Sequence, residues 1–90
     1  MASKRTIPDN VNLVLANAYG LYTKKDKSKV NFLKELAITE KASFICITET
    51  HLSPTIKTAE VKMEGYVLHR ADRSADRRRG GVTVYVKEKS

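Results

Sequence analysis

No tryptophan occurs in this chain, and cysteine appears once, as Cys46. A single cysteine excludes an internal disulfide. In the middle of an apolar stretch it reads as an inert small hydrophobe rather than a nucleophile or a metal ligand, and a reducing compartment is the simpler expectation. No apolar run approaches the ~20 residues that a helical membrane span requires. The opening Met-Ala-Ser-Lys-Arg-Thr-Ile-Pro has two basic residues but no apolar core behind them, because Asp9, Asn10 and Asn12 interrupt it. No secretory leader is expected there. What remains is a 90-residue chain, 41% hydrophobic and 30% charged, a composition suited to one small globular domain.

Acidic residues are scarce relative to basic ones, leaving a formal net charge of +7. The excess is uneven. Residues 1–38 carry seven Lys/Arg against three acids, residues 39–69 three against four, and residues 70–90 seven against three. Two basic flanks around a slightly acidic middle make a polyanion such as nucleic acid a plausible partner, although a solvated basic surface produces the same count. Arg77, Arg78 and Arg79 are the densest basic run and the best candidates for DNA backbone contact.

Residues 1–10, polar and broken by Pro8, are expected to form a flexible leader before a domain over 11–90. Val11 to Asn17 is an apolar run of strand length that ends on a polar residue, with Gly20 soon after. The charged run Lys24 to Lys29 leads into a helix, with Asp26 or Ser28 as N-cap candidates. Leu33 and Ala37 repeat at helical spacing, with Phe32 and Leu36 widening the stripe. Phe44 to Thr48 is a second buried strand, delivering Glu49 at its carboxyl end before a Ser-Pro turn signal. Strand, helix and strand make a βαβ unit with parallel strands.

Thr55 to Glu64 allows either a short helical turn or an irregular excursion. Tyr66 to Arg70 and Gly81 to Val86 read as two strands joined by a long charged loop, the second with Val82, Val84 and Val86 on one face. His51 is expected to be a packed or hydrogen-bonded turn residue, and His69 a strand residue. Asp72 and Arg73, beside Arg70, are expected to form a structural ion pair. The four tyrosines show no regular spacing and are expected at the edge of the core.

The combination of a strand ending on Asn17, a helix, Thr48-Glu-Thr-His-Leu52, Gly65-Tyr66, Asp72-Arg73 and Gly80-Gly-Val82 resembles the opening of the endonuclease/exonuclease/phosphatase superfamily. More narrowly, it resembles the apurinic-type endonuclease domain that precedes the reverse transcriptase in LINE-type, non-LTR retrotransposons. The resemblance implies an α/β fold: part of a two-sheet sandwich, β-α-β followed by a β-hairpin. It implies phosphodiester cleavage in DNA with a divalent metal, Mg²⁺ or Mn²⁺, for which Glu49 would be a ligand. Asn17 would help hold the scissile phosphate or catalytic groups.

A carboxylate at the end of a rigid strand suits that role, since Mg²⁺ takes oxygen ligands and often only one or two carboxylates. The family pattern further contains a Tyr, an Asp-x-Asn and a Ser-Asp-His, and no residues here match the last two. The expectation is therefore a fragment inactive alone, with an exposed sheet face, a tendency to self-associate and a nuclear destination. A basic nucleic-acid-binding remnant without catalysis is the alternative, and a superfamily phosphatase fragment is a third reading.

Overall fold

The structure is a computed structural model that describes residues 2–7, 11–73 and 80–88. It contains β1 (Ala2–Ile7), β2 (Val11–Asn17), α1 (Ser28–Glu40), β3 (Phe44–Thr48), α2 (Thr58–Val61), β4 (Tyr66–Ala71) and β5 (Val82–Lys87). The strands form one sheet in the order β1-β2-β3-β5-β4. β2 and β3 run parallel, as the βαβ pattern requires, and every other neighbouring pair is antiparallel. The hairpin of β4 and β5 is present, with β5 inserted against β3 and β4 left at the edge.

One expectation is overturned at the start of the chain. The segment read as a flexible leader supplies β1, which pairs with β2 from Ala2↔Ala16 to Ile7↔Val11. Its sequence is polar, and the strand is made by pairing along the free edge of β2 rather than by any apolar periodicity of its own.

One face of the sheet carries the core. Val14 and Ala16 of β2, Ile45 and Ile47 of β3, and Thr83 and Tyr85 of β5 are buried there, in contact with a core that includes Val30, Leu33 and Ala37 of α1. Leu36 packs at its margin, but Phe32 is exposed. At about 100° per residue, position 32 falls on the opposite side of the helix from 30, 33 and 37. Helix α1 begins at Lys27 as N-cap, and the carboxylate of Asp26 accepts from the Ser28 backbone N–H at 2.9 Å and its hydroxyl at 2.7 Å. Those two bonds hold the Asp26 carboxyl below its usual range.

Thr55 to Glu64 resolves into the single turn α2, where the Glu60 carboxylate accepts from the Lys57 backbone N–H at 2.9 Å. Val61 and Met63 then drop into the core. The Tyr85 and Tyr66 hydroxyls donate to the carbonyls of Val61 and Ala42, tying this irregular segment and the end of α1 to the sheet.

The other face is open. Its cross-strand rows are Leu13, Phe44, Val86 and Val67, then Leu15, Cys46, Val84 and His69, then Asn17, Thr48, Val82 and Ala71. Leu15, Phe44, Val67 and Val82 are all exposed. Valines at 82, 84 and 86 do share one face, but it is this one, while Thr83 and Tyr85 turn toward the helix.

Candidate active site

Register alone brings Asn17 and Glu49 together. Parallel pairing of β2 with β3 sets Asn17 opposite Thr48, so the residue following β3 emerges beside the end of β2. Carboxyl ends of parallel strands are where α/β sheets present ligand-binding groups. The Asn17 side-chain Nδ2 donates to Glu49 Oε2 at 2.6 Å. That bond uses one carboxylate oxygen and aims the other.

The backbone that carries Glu49 is held from both sides. Toward β2, Ala18 N–H donates to Thr48 O at 3.0 Å, Gly20 N–H to Glu49 O at 2.8 Å and Leu21 N–H to Thr50 O at 2.8 Å. Toward β5, Thr50 N–H donates to Gly81 O at 3.2 Å and His51 N–H to Gly80 O at 2.8 Å. Within this frame Glu49 and His51 adopt φ of 51° and 57°, left-handed values that non-glycine residues rarely take. Such conformations persist where surrounding structure over-determines them, and they cluster at functional sites.

Gly81 closes the frame. At φ 89° it would carry a Cβ only 2.7 Å from the buried Thr50 Oγ1, so the Gly80-Gly-Val82 signal records a close approach of Gly81 to the Thr50 side chain beside Glu49. Lys29 supports the other wall: its ammonium donates to the carbonyls of Ala18 and Tyr19, immediately after Asn17.

His51 is packed into its turn, and its Nε2 is sealed from solvent with no partner among the described residues. His69 lies on the open sheet face. Asp72 pairs with Arg70 at 2.6 Å, and Arg70 also donates to the carbonyls of Ile56 and Ser53. This is a structural tie between β4 and the loop before α2. Arg73 is likewise bound into the fold, its backbone N–H donating to Leu52 O and its Nε to His51 O. Arg77, Arg78 and Arg79 lie outside the described residues.

Among the described residues no three His, Cys, Asp or Glu side chains gather into a metal cage. The donor set at Asn17 and Glu49 fits Mg²⁺ or Mn²⁺ in the other manner open to such ions, one carboxylate with water and substrate phosphate completing the shell.

No family model matches the chain, and no curated protein matches it at a significant level. Solved structures do. An AP endonuclease from Leishmania major superposes with a TM-score of 0.70 at 21% identity, covering 94% of this chain and 28% of its own. An AP endonuclease from Archaeoglobus fulgidus superposes with a TM-score of 0.63 at 18% identity, covering 88% of this chain and 28% of its own. The chain thus spans less than a third of the structures it matches, and at these identities what they share with it is the fold. The chain carries part of the α/β fold of the AP endonucleases.

Proposed function

We propose that this chain is the N-terminal portion of a Mg²⁺- or Mn²⁺-dependent DNA-nicking endonuclease of the non-LTR retrotransposon kind, and that it does not cut DNA by itself. The observation that carries the reading is the Asn17–Glu49 pair, 2.6 Å apart at the ends of two parallel strands in an AP-endonuclease-type fold. Glu49 would hold the ion through one carboxylate oxygen, and the bound ion would supply Lewis-acid stabilisation of charge on the phosphate. The Asn17 amide orients the carboxylate and offers a neutral donor to an anion.

Retroelement origin rests on Thr48-Glu-Thr-His-Leu52 followed by Gly65-Tyr66, Asp72-Arg73 and Gly80-Gly-Val82. Nuclear localisation follows from the need to reach chromosomal DNA. Inactivity alone rests on the want of Asp-x-Asn and Ser-Asp-His residues in this sequence. The open apolar face suits further β structure of such a domain and, in the isolated chain, self-association.

The net charge of +7 favours the second reading, a basic DNA-binding remnant. Duplex binding measured in Mg²⁺ and in EDTA separates the two. The nuclease reading expects Mg²⁺ to strengthen binding in the wild type and to have no effect in Glu49→Gln. Binding that falls with salt but is indifferent to both Mg²⁺ and Glu49 supports the remnant instead. Supercoiled plasmid with Mg²⁺ should stay closed; robust nicking lost in Glu49→Ala would overturn the inactivity and keep the chemistry.

A further inference from the structure

Tyr19 does not behave like the other tyrosines. Tyr85 is buried, Tyr22 and Tyr66 are half-buried, and all three spend their hydroxyls on internal hydrogen bonds. Tyr19 is 69% exposed, so the expectation that it sits at the edge of the core is wrong for this residue. Its backbone has φ 48°, a left-handed conformation in which a bulky side chain crowds its own carbonyl. Glycine or asparagine would occupy this turn with less strain. The sequence therefore holds an aromatic ring in an unfavourable conformation at a position where no core demands one.

The position is fixed. Lys29 Nζ donates to Ala18 O and, at 3.2 Å, to Tyr19 O, while the following Gly20 N–H is bonded to Glu49 O at 2.8 Å. The ring stands two residues beyond Asn17, and Tyr19 helps to line two concavities. One, of about 560 Å³, is shared with Asn17, Ala18 and Lys29. The other, of about 390 Å³, runs toward His51, Asp26 and Tyr22. Both lie in the roughly 300–1,000 Å³ range of small-ligand sites.

We propose that Tyr19 is a base-stacking residue: the nucleobase of an unpaired deoxynucleotide, next to the phosphate held at Asn17 and Glu49, lies on the Tyr19 ring. The proposal rests on the nucleic-acid reading of the Asn17–Glu49 site and adds a subsite to it. An exposed aromatic face offers stacking to any base that is not already stacked in a duplex, and a neighbouring cation serves the adjoining phosphate. The left-handed backbone explains how the ring is kept out of the core and available.

The test uses the full 90-residue chain and two labelled single strands of equal length, one of oligothymidine and one of abasic tetrahydrofuran units with the same phosphates. Fluorescence anisotropy at low salt gives both affinities. The wild type should prefer the base-bearing strand. Tyr19→Gly and Tyr19→Asn should weaken that binding roughly 5- to 150-fold and leave the abasic strand unaffected. Tyr19→Phe should restore the preference. Both left-handed-tolerant variants should melt no lower than the wild type, because they relieve strain rather than remove packing.

A preference that survives in Tyr19→Gly and Tyr19→Asn, or a wild type that binds both strands equally, overturns the stacking subsite and leaves the nuclease reading standing. A large fall in melting temperature in both variants overturns it too, by making the ring structural. Failure of the wild type to bind either strand overturns the nucleic-acid reading itself, and the subsite with it.

Discussion

Glu49 is half-buried, left-handed in φ, bonded to Asn17 and framed by hydrogen bonds to the segments that follow β2 and precede β5. The quality of that frame depends on a residue with no side chain. Gly81→Ala would meet Thr50 Oγ1 and oppose a φ of 89°, so a loss of about 1–3 kcal/mol is expected in chemical denaturation. Gly65→Ala is the useful contrast: it shares a positive φ of 85° but has nothing within 4 Å of the added carbon, so it should cost less.

Tyr85 gives a pH signature. Burial pushes its phenol up to about 12 from 10.0, with Arg70 opposing. The folded chain keeps a proton that the unfolded chain releases between those values. Stability from this group is thus complete below pH 10 and lost as pH rises toward 12, by up to roughly 2–3 kcal/mol. Urea midpoints measured from pH 9 to 12 should fall in the wild type, with a shallower fall in Tyr85→Phe.

At the scale of elements, the Arg70–Asp72 pair fastens the loop before α2 to β4. Its side chains are only 13% and 16% exposed, and Arg70 also satisfies the carbonyls of Ser53 and Ile56. Arg70→Met should therefore cost about 2–4 kcal/mol, because it leaves a mostly buried carboxylate and two carbonyls without their partner. Thermal melts check this. Asp72→Asn, which keeps a hydrogen-bond acceptor, should cost less.

The elements also mark what the sequence makes legible. β2, α1, β3 and the β4–β5 hairpin announce themselves because buried strands are apolar runs and a core-facing helix repeats its apolar residues. That Asn17 and Glu49 each end such a run is legible for the same reason, whereas their contact depends on the β2–β3 register. β1 is not, since Ala2 to Ile7 is polar and becomes a strand only through the edge it pairs with. Neither is the exposure of Tyr19, because exposure and backbone sign depend on the turn between β2 and α1. Which face of β5 enters the core is equally hidden, because an alternating strand reads the same either way up until its neighbours are known.

The described residues form one sheet covered by a helix on one face, with the other, apolar face open among them and edges at β1 and β4. Open apolar faces and free edges favour association. Sedimentation should show the chain self-associating as its concentration rises. Val67→Lys, at a position 45% exposed on that face, should reduce the association while leaving the melting temperature nearly unchanged.

A divalent-metal and phosphate site at the meeting point of β2 and β3 would make Mn²⁺ the most informative probe of the chain. In amide-resolved NMR of the full chain, trace Mn²⁺ should broaden Asn17 and Thr48 to Thr50 ahead of all other residues, and Glu49→Gln should abolish that pattern. Broadening that is scattered over the surface acids, or that persists at the same residues in Glu49→Gln, would rule out a metal site at Glu49.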